Sequence, residues 1–148
     1  MSLELIITEA IKTAMRAKDR VALDSLRAVK SQILLIQTEA RGAEVSPEQE
    51  IAILQRMIKQ RKDSYEQFSA QGRNDLAEVE EAQMKVIEQF LPKQLSSEEL
   101  EAEIRKIITE TGAASVKDLG KVMGVASKAL AGKSDGKSIS EMTKKLLS

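Results

Sequence analysis

The sequence contains no cysteine, no histidine and no tryptophan. Without cysteine there are no disulfides and no thiol nucleophiles, and without histidine the chain lacks the side chain that most often transfers protons near neutral pH. Structural zinc sites are built mainly from these two residue types, so we expect no metal site and no cofactor. Catalysis would depend on Asp, Glu, Lys, Ser and the single tyrosine, Tyr65. The composition therefore favours a protein that binds over one that catalyses, and it indicates no catalytic residue.

Aromatic residues and long apolar runs are also scarce. Only Tyr65, Phe68 and Phe90 are aromatic, so stacking on unpaired nucleic-acid bases has few side chains available. No stretch approaches the ~20 apolar residues of a membrane span, and the acidic start of the chain differs from the basic start of a signal peptide. These features predict a cytoplasmic protein that does not associate with membranes.

The charges balance overall but are unevenly distributed. The chain has 23 basic and 23 acidic residues, so no net field attracts nucleic acid. Residues 112–148 nevertheless carry seven lysines against Asp118, Asp135 and Glu141, whereas residues 74–91 carry five acidic residues and only Lys85. We expect a basic C-terminal part and an acidic fourth helix.

Apolar residues recur at intervals of three and four almost throughout, which predicts an all-α protein. We expect about four long helices in an N-terminal helical domain, residues 1–93, and a three-helix C-terminal domain, residues 94–148, because Leu91-Pro92 ends the fourth helix. The predicted helix starts are the capping residues Asp19, Ser46, Asn74 or Asp75, Ser96, Ser115 and Ser138. Gly42, Gly72, Gly112 and Gly132 are the predicted stops.

Two Gly-Lys-Ser tripeptides, at residues 132–134 and 136–138, invite comparison with a phosphate-binding P-loop. That loop has a second glycine five positions before its Gly-Lys pair, where this chain has Ser127 and Ala131. A helical pattern precedes the loop where a strand is required. We interpret Gly132 as a helix stop, residues 134–136 as a turn and Ser138 as the next cap.

Arg61 interrupts the apolar repeat of the third helix, which runs through Ile51, Leu54, Ile58, Tyr65 and Phe68. In one interpretation its stem packs while the guanidinium reaches water or a carboxylate such as that of Asp24. In the other, Arg61 belongs to a basic cluster with Arg56, Lys59 and Lys62 that contacts phosphate oxygens. The sequence leaves both open.

Five stretches in the same order resemble the GatB/YqeY family. They are DSLRAVKSQI (24–33), KQRKDSYEQF with GRNDLAEVE (59–80), FLPKQLSSEEL (90–100), DLGKVMGVASKAL (118–130) and GKSDGKS (132–138). The small members of this family are similar to the tail of the B subunit of the tRNA-dependent Asp/Glu amidotransferase. The resemblance implies an all-helical protein with a link to tRNA and a family label of glutamine-dependent carbon-nitrogen ligase.

The resemblance also implies which residues bind. In the amidotransferase the tail helps to hold misacylated tRNA, while the chemistry resides in parts that this chain lacks, so we expect a non-catalytic accessory module for tRNA or another structured RNA. The nucleic-acid-binding candidates within the matching stretches are Lys121, Lys128, Lys133, Lys137, Lys59, Arg61 and Lys62. Gly120 and Gly124, one turn apart, would admit either a ligand backbone beside Lys121 or another helix of the same protein.

Two further functions stay open at this point. The acidic fourth helix and the apolar seams suit an adaptor that binds an aminoacyl-tRNA synthetase or an amidotransferase. A weak amidohydrolase could use Ser134 or Ser138 with Lys133 or Lys137, but such a serine requires an unprotonated lysine, which an exposed turn does not favour.

Overall fold

The computed structural model describes residues 2–148 and is all-α, as predicted, with no strand in that range. Seven α-helices and one short 3-10 turn, Val116–Asp118, make up the described chain. The helices are α1 (Leu3–Ala17), α2 (Arg20–Glu39), α3 (Pro47–Ala70), α4 (Asn74–Glu88), α5 (Ser97–Thr111), α6 (Leu119–Ala129) and α7 (Gly136–Leu147). None of these helices is long and apolar enough to cross a membrane.

Backbone contacts divide the chain into an N-terminal unit that ends at Leu91 and a C-terminal unit, Pro92–Ser148. The N-terminal unit contains α1 to α4, and the C-terminal unit contains α5 to α7. Each has its own cluster of buried apolar side chains, which is the property that defines a domain.

The helices of the N-terminal unit pack as successive antiparallel neighbours. Gln37 near the end of α2 donates to Glu4 at the start of α1 at 2.8 Å, and α3 and α4 share the most extensive contact in the chain. The buried core consists of Leu3, Ile7, Ala14, Leu26, Val29, Ile33, Ile53, Leu54, Met57 and Ile87. The stripe predicted on α2 is confirmed at its centre by Leu26, Val29 and Ile33, whereas its last member, Ala40, is exposed.

The core faces predicted for two helices of the N-terminal unit, α3 and α4, are wrong in detail. On α3 only Leu54 of the expected repeat is buried, and Ile53 and Met57 supply the rest of the buried face, because α3 contacts both α2 and α4. On α4, Val79 is 45% exposed and Ala77 is buried instead. Ile87 is fully buried as predicted, so the expected inward face of α4 is confirmed there and wrong at Val79.

The C-terminal unit packs its three short helices around Ile104, Val122, Ala126 and Ile139. Ser96 and Glu99 form the predicted capping box of α5, with Ser96 Oγ accepting from the Glu99 N–H at 3.2 Å and Glu99 accepting from the Ser96 N–H at 3.2 Å. These paired bonds satisfy two otherwise free donors at the start of the helix.

The predicted cap of α7 is wrong. Asp135, and not Ser138, caps this helix by accepting from the Ser138 N–H at 2.6 Å, and Gly136 is already its first residue. An aspartate is as strong a capping residue as a serine, and Asp135, which the sequence analysis placed in a turn, begins the helix three residues before the predicted start. Gly132 adopts the left-handed conformation expected of a stop, with φ 77°.

Candidate nucleic-acid interface

Helix α6 separates a buried face from an open one. Val122, Ala126 and Leu130, spaced four residues apart, point into the core. The opposite side forms a shallow depression lined by Gly120, Lys121, Gly124, Val125, Lys128 and Ala129. Lys121 and Lys128 are two helical turns apart, which corresponds to about 10 Å along the axis. The depression therefore has small residues at its floor and a lysine toward each end.

The glycines on this face are not packed against another helix. A Cβ atom added at Gly120 or Gly124 would meet nothing within 4 Å. Within residues 2–148, the interpretation that these glycines allow two helices to touch is therefore not what the structure shows. The face is open to a ligand backbone.

The turn between α6 and α7 carries Lys133, and Lys137 lies in the first turn of α7. The Lys133 N–H and the Ser134 N–H both donate to the Leu130 carbonyl, at 3.0 and 3.3 Å. Both lysine side chains are exposed. Neither forms a hydrogen bond with the hydroxyl of Ser134 or Ser138 in the described chain, so the Ser-Lys pairs considered for an amidohydrolase are not assembled as a nucleophile with its base.

The first residues of the C-terminal unit, 92–95, form hydrogen bonds with this same turn. Gln94 Nε2 donates to the Gly132 carbonyl at 2.6 Å and to the Pro92 carbonyl at 3.0 Å. The Leu95 N–H donates to the Lys133 carbonyl at 2.9 Å. Sequence reasoning missed this contact, although the FLPKQL and GKSDGKS stretches both belong to the resemblance that points to the site.

The four candidate lysines of the C-terminal unit, which has nine lysines in all, remain available for an anion. Among residues 2–148, none of Lys121, Lys128, Lys133 and Lys137 forms an ion pair within 4.0 Å. The ion pair that the described part of this unit does contain joins Arg105 to Glu101 at 2.9 Å. Asp118, next to the depression, has its pKa lowered mainly by the N–H groups of Ala114 and Ser115 and to a smaller extent by Lys121.

Arg61 does not join a basic cluster on α3. Its Nε donates to Gln83 Oε1 at 3.1 Å and its Nη1 donates to the Met57 carbonyl at 3.2 Å. Burial lowers the pKa of Arg61, and nearby Glu80 opposes that shift. Asp24, the partner suggested by the sequence, instead lies 3.6 Å from Arg20. The stem of Arg61 packs as in the first interpretation, but its head is held by α4.

The other α3 candidates belong to the N-terminal unit. Lys59 and Lys62 are exposed, while Arg56 donates to Gln32 at 2.9 Å. The structure thus brings Lys121 and Lys128 onto one helix, places Lys133 and Lys137 at the following turn, and leaves Lys59 and Lys62 on the surface of the other unit.

A comparison with protein families covers almost the whole chain. Residues 5–147 match the YqeY family, described as Yqey-like protein. The chain therefore belongs to the YqeY family, and the resemblance carried by its five stretches is confirmed for YqeY.

Similar proteins come from fungi. The protein "Altered inheritance of mitochondria protein 41, mitochondrial" of Lachancea thermotolerans is 31% identical over 102 residues, covering 68% of this chain and 54% of the relative. The protein of the same name in Meyerozyma guilliermondii is 36% identical over 55% of this chain and 42% of its own. An uncharacterized protein of Schizosaccharomyces pombe is 28% identical over 65% of this chain and 77% of its own.

These relatives bear on length and location. The matched part spans about half the length of the Lachancea and Kluyveromyces proteins, at 54% and 57%. The names of the Lachancea, Kluyveromyces and Meyerozyma proteins carry the word mitochondrial. Against these names the cytoplasmic expectation is wrong, because composition and the lack of a long apolar run do not specify a compartment.

Proposed function

We propose that this protein is a non-catalytic accessory module that binds the phosphate backbone of a folded RNA, with tRNA as the first candidate. The observation that carries the proposal is the open glycine face of α6 with Lys121 and Lys128 on it, followed by the exposed Lys133 and Lys137; none of these lysines forms an ion pair in residues 2–148. Lysines that have no acidic partner can exchange their counterions for phosphates, which is the main source of affinity in sequence-independent binding.

The aromatic residues support a folded RNA over unpaired bases. Tyr65, Phe68 and Phe90 all precede residue 91, so the C-terminal unit has no aromatic side chain. Proteins that hold single strands stack bases on such side chains. A surface of lysines and small residues suits the outside of a structured RNA, where phosphates are the accessible groups.

The family resemblance supports a role beside the amidation of tRNA. A tail that holds tRNA for a larger enzyme needs no catalytic groups of its own, in keeping with the lack of histidine and cysteine. The label of glutamine-dependent carbon-nitrogen ligase would then describe the larger enzyme that receives the tRNA and not this chain.

Filter binding to tRNA at increasing salt tests this proposal. We expect micromolar binding at low salt and a log-log slope of magnitude roughly 3 to 4, because four phosphate contacts release their counterions. Mitochondrial tRNA from yeast is a suitable probe beside total tRNA, since the relatives are named as mitochondrial proteins. Undetectable binding at micromolar protein, or binding that ignores salt, would reject the proposal.

Substitutions identify the surface that binds. Replacement of Lys121, Lys128, Lys133 and Lys137 by alanine should weaken binding by roughly 100-fold and remove most of the salt dependence. The matched control replaces the exposed lysines Lys59 and Lys62 on α3, and it should change affinity less than about threefold. An equal loss in the control would show unspecific attraction.

Gly124→Ala tests the open face of α6 separately. An alanine there meets nothing within 4 Å, so the folded protein should gain about 1 kcal/mol from better helix propensity. If an RNA backbone approaches this glycine, the same change should weaken tRNA binding by several fold. Unfolding by denaturant and filter binding give the two readouts, and unchanged binding would remove the glycine face from the interface.

A second candidate function is an adaptor for a protein partner. Leu5 and Leu35, on α1 and α2, are 57% and 51% exposed, and Val79 is exposed on the acidic helix α4. Interaction surfaces are marked by contiguous exposed apolar patches and not by single apolar residues, so this function is the second candidate. Recovery of an aminoacyl-tRNA synthetase or an amidotransferase from RNase-treated lysate would favour this function, whereas loss of all partners after RNase would favour the RNA module.

A further inference from the structure

The entry segment of the C-terminal unit, residues 92–95, contacts the lysine turn, residues 132–134, through two hydrogen bonds, and a third lies within the entry segment. The side-chain amide of Gln94 donates both of its hydrogens, one to Gly132 and one to Pro92. The Leu95 N–H donates to Lys133. One glutamine therefore joins the two segments and uses both donors of its amide.

These bonds bring a further lysine to the turn. Lys93 is exposed and lies two residues before Leu95, whose N–H is 2.9 Å from the Lys133 carbonyl. Standard backbone dimensions then keep the Cα atoms of Lys93 and Lys133 within about 14 Å of each other. Two lysine side chains at that separation can reach neighbouring phosphates of one RNA strand.

An acidic group also faces Lys93. Lys93 contributes, as the smallest of the causes, to the lowered pKa of Glu99, which results mainly from the Ser96 N–H. The Glu99 carboxylate is already engaged by that N–H at 3.2 Å. Lys93 forms no ion pair within 4.0 Å in the described residues, so its ammonium group remains available.

We infer that the entry segment is part of the phosphate-binding surface: Lys93 contacts RNA phosphate directly, and Gln94 is a positioning residue that holds Lys133 in place. This inference rests on the proposed function and adds two residues to it. The roles of Lys93 and Gln94 can be distinguished experimentally. Loss of a direct phosphate contact changes the salt dependence of binding, whereas the effect of losing a positioning residue depends on a second substitution.

The salt slope tests Lys93. Lys93→Ala should weaken tRNA binding about fivefold near 100 mM salt and reduce the magnitude of the slope by roughly 0.7 to 0.9, the change expected for one lost phosphate contact. The matched control is Lys106→Ala, an exposed lysine on α5 about 13 Å along the helix from its first residue. It should leave the slope unchanged, and an equal change in both variants would overturn the role of Lys93.

A double-substitution cycle tests Gln94. Gln94→Ala should weaken binding about fivefold, and Gln94→Ala combined with Lys133→Ala should bind no more weakly than Lys133→Ala alone, because Gln94 acts through that lysine. Gln94→Glu, which keeps the shape but loses the amide donors and adds a negative charge, should bind no more tightly than Gln94→Ala. Fully additive losses, or parent-like binding by Gln94→Glu, would overturn the positioning role.

Hydrogen exchange provides a readout that does not depend on RNA. Loss of the Gln94 bonds should speed exchange of the Leu95 amide at least tenfold while amides in the middle of α5 keep the exchange rate of the parent. An unchanged exchange rate of the Leu95 amide would contradict a stabilising role of the Gln94 hydrogen bonds. If the parent protein fails to bind tRNA, the proposed function and this inference both fall, whereas a parent that binds alongside unaffected Lys93 and Gln94 variants overturns the inference alone.

Discussion

The two units differ in what their basic residues do. In the N-terminal unit, Lys12, Arg20, Arg73 and Lys85 lie within 4.0 Å of acidic side chains, and Arg61 is held by Gln83. In the described part of the C-terminal unit, only Arg105 has such a partner. The zero net charge of the whole chain therefore hides this difference. The positions of basic residues without an acidic partner are more informative about binding than their number.

The largest expected effect is the loss of stability when a buried isoleucine is truncated in the core of either unit. Ile33 and Ile104 are fully buried, one in each unit, and replacing either by alanine should cost about 2 to 5 kcal/mol. Because a domain as small as the C-terminal unit is stabilised by only roughly 3 to 8 kcal/mol, Ile104→Ala should leave it close to unfolding. Amide exchange of α5 to α7 measures this.

The exposed Leu35 provides the control for both changes, since Leu35→Ala should alter stability by less than about 0.5 kcal/mol. Exchange rates in α5 to α7 that stay within tenfold of the parent in Ile104→Ala would contradict the expected cost of about 2 to 5 kcal/mol.

An intermediate effect tests the difference between a held and a free cation on α3. Arg61→Met should destabilise the protein by about 1 to 2 kcal/mol, because Gln83 and the Met57 carbonyl lose a charged donor. Lys62→Met, at the next position but exposed, should stay within about 0.5 kcal/mol. Denaturant unfolding compares the two, and tRNA binding should be unaffected by Arg61→Met. Equal stability costs would contradict the internal role of Arg61.

The smallest expected effect concerns carboxyl groups and salt. In the N-terminal unit, the pKa of Glu9 is lowered mainly by Lys12 and that of Asp75 mainly by Arg73. In the C-terminal unit, N–H groups lower the pKa of Glu99 and Asp118. A lowered carboxyl pKa stabilises the fold above the ordinary values, 4.5 for Glu and 3.8 for Asp, and this contribution is lost as the pH falls through the folded pKa.

Ion pairs on the surface are screened by salt, whereas hydrogen bonds from backbone N–H groups depend on it less. In 1 M salt the pKa of Glu9 and Asp75 should therefore rise further toward the ordinary values than the pKa of Glu99 and Asp118, as measured by carboxyl NMR titration. A uniform rise in all four groups would remove the distinction.

Local signals in the sequence predicted the fold well. Ser46 with Gln49 and Ser96 with Glu99 form the expected capping boxes, because a cap depends only on residues within one turn. The inward faces were less predictable, since α3 touches two helices and buries Ile53 and Met57 on a wider face. Ser138 was the predicted cap of α7, but Asp135 caps it, because an aspartate is an equally strong capping residue.

The individual residues of the candidate site could be predicted from the sequence, but the contacts between them could not. The lysines of the C-terminal unit are recognisable from charge and from the family stretches. The Gln94 contact to Gly132 joins residues 38 positions apart, and the partner of Arg61 depends on how α3 and α4 align. Contacts of this kind follow from tertiary packing, to which the periodicity of a single helix is insensitive.

The long separation between Gln94 and Gly132 has a consequence for the order of folding. Bringing together positions so far apart costs loop-closure entropy that contacts within one helix do not, and contacts of this range slow folding. We expect α5 and α6 to form first and the junction of residues 92–95 with 132–134 to close late. A chain still emerging from the ribosome would thus lack this junction until Lys133 has been synthesised.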